Sequence, residues 1–250
     1  MDNLSKIIDQ KLLDEQDNRS GRKKSDCWTP SSFGRCYRFQ FWNRMGKPKE
    51  KADARQLRIF KVGNLFHDLL ENMLPEHEKE VLIKKDDIFG YADVVLPDRV
   101  IDIKSVHSRA FWYMNKPDYD IYESRLPNWL QVATYAWLLD KEWCGLYIIS
   151  RDDLSVNEYA TPTSKWITKV ESELNVLRTW WKGKVLPPAA PRAYSGKECK
   201  YCPFEKDCKE YENEHKPSVG ESAKRESESI SEGRRVEVQV ASKKRSAKKN

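Results

Sequence analysis

The stretch Gly90-Tyr91-Ala92-Asp93-Val94-Val95-Leu96-Pro97-Asp98-Arg99-Val100-Ile101-Asp102-Ile103-Lys104 decides how this chain is read. Aliphatic and polar residues alternate on both sides of Pro97-Asp98, the pattern of two strands joined by a tight turn. With Pro97 and Asp98 as the turn, Leu96 stands opposite Arg99, and the same register sets Asp93 opposite Asp102. Opposed residues have Cβ atoms about 4.5–5.5 Å apart. Side chains alternate faces, so Lys104 shares the face of Asp102. Tyr91, Asp93, Val95, Val100, Asp102 and Lys104 then line one face. Ala92, Val94, Leu96, Ile101 and Ile103 line the other, which is apolar enough to pack on a core. Pro-Asp is not a preferred hairpin turn, and a bulge there would slip the pairing by one residue.

Two carboxylates held face to face repel each other, and a divalent cation bound by hard oxygen donors removes that repulsion. A neighbouring lysine can position an attacking water or stabilise negative charge building on a phosphate. The plainer alternative is a solvated hairpin with surface acids.

Working outward, Leu4, Ile7, Ile8, Leu12 and Leu13 give residues 2–16 helical spacing. A polar, basic loop spans 17–26. Thr29-Pro30-Ser31-Ser32 opens a helix that runs to about Met45, and a longer helix over 52–74 stops at Pro75. Strands are predicted at 80–85, 88–96 and 99–106, a helix at 126–139, strands at 143–150 and 154–160, and a helix at 164–182. Pro187, Pro188 and Pro191 then break the chain before a cysteine-rich segment. From residue 213 there is no aromatic residue, and Ser, Glu, Lys and Arg dominate, the composition of a disordered tail. The expected division is an N-terminal helix and basic loop (1–28), one domain (29–212) and a basic tail (213–250). Helices, a three-strand meander, a helix, two strands and a helix make an α/β sandwich around a mixed central sheet flanked by helices.

With 34% charged residues and no apolar run long enough to span a bilayer, a membrane class is excluded. Residues 1–16 carry charge throughout and lack a signal-peptide core, so a reducing cytoplasm is expected. The formal net charge of +6 points to an acidic partner, but Lys243, Lys244, Arg245, Lys248 and Lys249 supply most of it. Any nucleic-acid contact by the folded body must therefore use local patches.

In a reducing compartment clustered cysteines read as a metal or redox site. Cys199-x2-Cys202-Pro203-x4-Cys208 supplies three ligands, and Cys36 or Cys27 can supply a fourth. Cys144 lies in a predicted core strand and reads as a small hydrophobe. Zn²⁺ and an iron–sulfur cluster both take four cysteines, and spacing does not separate them.

The ordered set of motifs resembles the PD-(D/E)XK nucleases: Asp93, then Asp102-Ile103-Lys104 as D-x-K. Upstream, Gly63-Asn64-Leu65-Phe66-His67 resembles the G-x-x-x-H motif of the RecB-like branch, and Gln131-Val132-Ala133-Thr134-Tyr135 resembles its Q-x-x-x-Y motif. One early and three late cysteines are similar to the iron–sulfur members, the CRISPR-associated RecB-like exonucleases and AddB-type nucleases. There the early cysteine follows a Ser-containing helix start, as Cys36 does here, with Cys27 in reserve. The resemblance covers residues 29–208. It implies a restriction-endonuclease-like fold whose N- and C-terminal parts are clasped by a [4Fe–4S] cluster on Cys36, Cys199, Cys202 and Cys208. It implies Mg²⁺ or Mn²⁺ on His67, Asp93, Asp102 and the Ile103 carbonyl; helical spacing separately sets Glu71 one turn on from His67, where it could face the same site. Lys104 would assist the chemistry, and Gln131 and Tyr135 would contact the DNA backbone near the scissile phosphate. The implied activity is hydrolysis of phosphodiester bonds by a single-strand DNA exonuclease acting on DNA ends. The implied settings are CRISPR adaptation, recombination or phage DNA metabolism, with proteins of those processes as partners and, for a phage-encoded chain, the host cytoplasm as location. A structure-selective endonuclease and a non-catalytic DNA-binding protein on the same fold are the rivals.

Arg35, Arg38, Arg44, Lys47 and Lys49 interleave with Tyr37, Phe39, Phe41 and Trp42. Positive charge among aromatics suits unpaired bases, with Arg35 and Arg38 as the DNA contacts. A helix with an aromatic core face and a solvated basic face explains the same pattern.

Overall fold

A computed structural model describes residues 3–19, 26–74 and 78–215. Part of the 17–26 loop, Pro75, and the tail from 216, which includes Lys243, Lys244, Arg245, Lys248 and Lys249, lie outside the described residues, as does the side chain of Glu71. The chain divides into two units, Met1–Glu205 and Lys206–Asn250.

In the first unit, strands β1 (Glu78–Lys85), β2 (Ile88–Val95), β3 (Arg99–Val106), β4 (Trp143–Ser150) and β5 (Val156–Pro162) form one sheet in the order β1-β2-β3-β4-β5. β1, β2 and β3 are antiparallel neighbours, β3 and β4 run parallel, and β4 and β5 are antiparallel. The expected mixed sheet is therefore present. The parallel step requires a crossover. Helices α4 (Ser108–Met114), α5 (Ile121–Ser124) and α6 (Leu126–Leu138) make it. The sequence reading had only the last of these.

Helix α6 is buried along nearly its whole length against β3, β4 and α7 (Ser164–Gly183). Trp129 of α6 stacks on Trp166 of α7 with centroids 5.5 Å apart. Leu130, Val132, Ala133 and Ala136 meet Val100, Leu146, Ile148, Val170, Leu174 and Leu177 in one apolar core. Helix α3 (Ala54–Glu71), opened by a capping box of Asp53 and Gln56, packs on β3. It also packs on α1 (Leu4–Arg19), to which Arg58–Asp9 and Gln16–Ala52 tie it. Among the described residues no helix is long and apolar enough to cross a membrane.

The helix expected from residue 29 is two pieces: a 3-10 turn at Pro30–Ser32, then α2 (Tyr37–Met45). Gly34 lies between them at φ +73°, and a Cβ there would come within 3.1 Å of Pro127. A left-handed residue in close contact with α6 ends the first turn.

Arg38 and Arg35, the expected DNA contacts, turn inward. Arg38 is 4% exposed, with Nε on the Pro187 carbonyl at 2.8 Å. Arg35 lies over the Phe39 ring and pairs with buried Glu198 at 3.1 Å. Arg44 is likewise interior, 4.5 Å from the Trp28 ring and 4.4 Å from that of Trp181, and pairs with Asp87. These guanidiniums turn inward because their stems and flat faces pack on aromatic rings while their N–H groups find internal acceptors.

The second unit holds α8 (Glu205–Glu214) for most of its length, with Tyr211 and His215 stacked at 4.0 Å.

Candidate functional site

The β2–β3 hairpin closes as its residues dictate. Leu96 donates to the Arg99 carbonyl at 2.9 Å, and Val95 pairs with Val100 and Val94 with Ile101. Beyond those two pairs the ladder stops. β3 continues in register with β4 as far as Val106–Ser150, while β2 follows β1. Asp93 and Asp102 sit where the two strands part. Here a side chain replaces the missing ladder bond: Asp93 Oδ2 accepts from the Ile103 N–H at 3.0 Å.

Asp102 is only 3% exposed. Its Oδ1 accepts from Lys104 Nζ at 2.8 Å, and its Oδ2 is buried with no hydrogen-bond partner. Burial pushes its carboxyl up to about 7, opposed by Lys104 and helped by the negative charge of Asp93 and by the hydrogen bond that its protonated form gives Asp93. Lys104 responds in the other sense. Burial would lower it, but Asp102 and Asp93 outweigh that and hold it above the usual lysine value, so it remains an ammonium.

His67 enters from α3, brought onto β3 by Gly63, whose Cα faces Ser105. Its Nδ1 lies 3.6 Å from Asp93 Oδ2, and its ring also meets the Ile103 carbonyl. Burial lowers its pKa despite Asp93, which keeps the imidazole neutral and its lone pair available. His67 also lines a cleft of about 250 Å³ with Lys61, Asn64, Leu65, Asp68 and Glu80. Glu80 takes φ +48° at the one place where the β1–β2 pairing skips, opposite Asp93. No sequence pattern announced it, because a single left-handed residue leaves no periodicity.

Gln131 and Tyr135 share a face of α6, and both are buried. Tyr135 lies under β2, where a Cβ on residue 90 would be 2.4 Å from its hydroxyl. Gly90 is required there. Burial, with the charges of Asp102 and Asp93, raises the Tyr135 pKa, so its hydroxyl keeps its proton beside the two acids.

Of the expected cysteine ligands, Cys36, Cys199 and Cys202 lie in the first unit and Cys208 on α8. Cys202 donates its N–H to Cys199 at 3.1 Å. Burial raises the Cys202 thiol, and Glu198 and Cys36 add to this while Arg35 opposes it, so Cys36 and Cys202 are neighbours. Cys27 instead precedes Trp28, which bridges to Ile88. Cys144 is buried in β4, and burial raises its thiol to about 12. Among the described residues no group of three or more His, Cys, Asp or Glu is arranged to hold a metal ion.

Among the groups that tie the early and late segments together is a pair of buried carboxylates that the sequence did not reveal. Glu198 accepts from Arg35 Nε, from the Cys36 N–H at 3.0 Å, and from the N–H groups of Arg192 and Ala193 at 3.1 and 3.3 Å. Glu173 accepts from the Gly34 N–H, Gln40 Nε2 and both terminal nitrogens of Arg192.

No protein-family model matches the chain, and no curated protein matches it in sequence. Among solved structures it is similar to the crystal structure of SSO0001, at 22% identity and a TM-score of 0.51 over 82% of this chain and 95% of that one. The alkaline exonuclease LHK-Exo from Laribacter hongkongensis aligns at 11% identity and a TM-score of 0.44 over 70% and 93%. A phage-related exonuclease from Haemophilus somnus 129PT aligns at 11% and 0.31 over 72% and 82%. The first of these shows a shared fold: a mixed five-stranded α/β sheet flanked by helices. The other two are too distant to bear on the argument.

Proposed function

We propose that this chain is a divalent-cation-dependent nuclease of the RecB-like PD-(D/E)XK branch, hydrolysing phosphodiester bonds in DNA and trimming single strands from their ends. The observation that carries the reading is the buried, unpartnered Oδ2 of Asp102, set against Asp93 where the strands part. A buried polar atom without a partner costs about 1–3 kcal/mol, more when charged, so its retention points to a ligand.

His67 and Asp102 each neighbour Asp93, and with the Ile103 carbonyl they are donors of the type that Mg²⁺ or Mn²⁺ takes; they would hold the ion by closing on it from this arrangement. When bound, the cation supplies Lewis-acid neutralisation of the phosphate and a water of lowered pKa. Lys104, kept protonated by two acids, acts as a hydrogen-bond donor to the negative charge that builds on phosphate oxygen, not as a base. Tyr135, also kept protonated, and Gln131 on the same face of α6 would orient the DNA strand near the scissile phosphate.

Cys36, Cys199, Cys202 and Cys208 would hold a [4Fe–4S] cluster, with Zn²⁺ as the second candidate; thiolate donors suit both. The cluster would reinforce the join that Glu198 makes. The settings this suits are CRISPR adaptation, recombination or phage DNA metabolism.

The test is incubation with end-labelled single strands, with and without Mn²⁺, comparing wild type with Asp102→Ala. Cation-dependent shortening by the wild type alone supports the reading. Equal shortening by both proteins would refute the site. Cutting of circular single strands would reassign the enzyme as an endonuclease.

A further inference from the structure

The segment just after Pro191 plays no part in the hydrolytic reading so far. Glu198 fixes its start by accepting the N–H groups of Arg192 and Ala193. The chain then turns tightly, with Gly196 donating to Ala193 at 3.1 Å and Lys197 to Tyr194 at 3.0 Å. Within this turn Tyr194 takes φ +53°, a left-handed conformation that disfavours any side chain with a Cβ. Burial does not compensate for that strain, because Tyr194 is 51% exposed. Its ring meets Tyr201, 70% exposed, edge to face with centroids 6.1 Å apart. Tyr194 also lies within electrostatic reach of Lys104, the cation paired with Asp102.

Strained residues held by an over-determined scaffold cluster at functional sites. What this scaffold presents is two exposed aromatic rings, nearly perpendicular at 77°, one of them within electrostatic reach of the ammonium paired with Asp102. Aromatic faces bind unpaired bases without regard to sequence, whereas bases inside a duplex are already stacked on each other. The chemistry fits a flexible single strand whose bases splay apart to meet two rings.

We propose that Tyr194 and Tyr201 form a stacking platform that holds the unpaired bases of a single strand while a neighbouring phosphate lies at Lys104 and Asp102. The proposal rests on the nuclease reading for where the phosphate sits. Both tyrosines act as positioning residues, and they give the site its preference for single strands. A second exposed aromatic pair, Trp112 and Tyr113 of α4 with Lys116 Nζ 3.6 Å over the indole, serves as the comparison.

The experiment uses the full chain and single-stranded oligonucleotides carrying 2-aminopurine at successive positions from one end, with Ca²⁺ in place of Mg²⁺. Stacking on a ring quenches the probe. Wild type and Tyr194→Phe should quench it at one or two adjacent positions, and Tyr194→Ala and Tyr201→Ala should not. With Mn²⁺, KM should rise roughly 5- to 150-fold for each alanine variant with little change in kcat. A strand lacking the base at the quenched position should bring wild type and Tyr194→Ala to the same KM. Melting temperatures of the variants check that the fold is intact. Unchanged quenching and KM in Tyr194→Ala/Tyr201→Ala, or quenching that is lost in Trp112→Ala instead, would overturn the platform. Quenching by a wild type that cleaves no strand would uphold the platform and sink the nuclease reading; hydrolysis without quenching would do the reverse.

Discussion

Removing the Glu198 carboxylate should loosen the join between the early and late segments of the first unit. Glu198 is 1% exposed and serves four donors from two stretches far apart in sequence. In Glu198→Ala, the guanidinium of Arg35 and the N–H groups of Cys36, Arg192 and Ala193 lose their acceptor. Breaking a buried ion pair from one side costs about 3–5 kcal/mol, and each buried donor left without an acceptor about 1–3 kcal/mol. Water recovers part of this, since the Arg35 side chain is 15% exposed and Arg192 lies at the surface. A net loss of about 3–5 kcal/mol is expected, a fall of roughly 6–20 °C in Tm for a unit of this size. Glu198→Gln keeps the shape and one carbonyl oxygen but turns an NH₂ toward other donors, and should lose about 2–3 kcal/mol. Urea unfolding followed by tryptophan fluorescence and far-UV circular dichroism measures both. Glu171→Ala, an exposed position on the same chain, should stay within about 0.5 kcal/mol of wild type. A Glu198→Ala loss below about 1 kcal/mol would refute the reasoning and leave the join to the cysteines.

Three further outcomes follow from the same geometry. Lys104→Ala should lower cleavage at least roughly a hundredfold while single-strand binding persists; a fully active variant would remove Lys104 from the chemistry. Burial of Asp87 would raise its carboxyl, but Arg178 and Arg44 outweigh that and hold it below its ordinary value, so its stabilisation is full above about pH 4 and fades as pH falls through the lowered folded value. Asp87→Asn should therefore cost about 1–2 kcal/mol at pH 7 in urea unfolding, with the gap to wild type closing at pH 3, and a gap that widens in acid would contradict the ion-pair account. Cys202→Ser should strip bound iron and the brown colour of the purified protein, whereas a colourless wild type carrying zinc would replace the cluster by Zn²⁺.

The hairpin was legible because turn length and alternation are local. A two-residue turn at Pro97-Asp98 fixes the register, and Val94–Ile101 and Val95–Val100 follow from it. The parting of the strands after those pairs was not legible, because a carboxylate taking over the Ile103 N–H leaves no trace in a hydropathy pattern. The basic, aromatic helix misled for a related reason. An arginine reads as surface until its guanidinium is seen between two tryptophan rings, and Trp28 and Trp181 lie far apart in sequence. Glu173 and Glu198 look like ordinary acids for the same cause, since their donors come from residues 34–40 and 192–193.

Those two glutamates also bear on the meaning of Asp102. Among the described residues the same fold buries three carboxylates almost completely: Glu173 at 4%, Glu198 at 1% and Asp102 at 3% exposure. Each glutamate receives donors on both oxygens, backbone and side chain alike, so this scaffold readily surrounds a buried acid with N–H groups. Around Asp102 it supplies one ammonium, to one oxygen. Among the described residues, the buried polar side-chain atoms without a partner include indole nitrogens, hydroxyls and an amide oxygen, but Asp102 Oδ2 is the only carboxylate oxygen. A shortage of donors does not explain it, because the Ile103 N–H lies next to Asp102 in the chain and is given to Asp93 instead. With that donor spent on the partner acid, Asp102 keeps one buried oxygen without a donor where β2 and β3 part, the imbalance that the proposed cation would relieve.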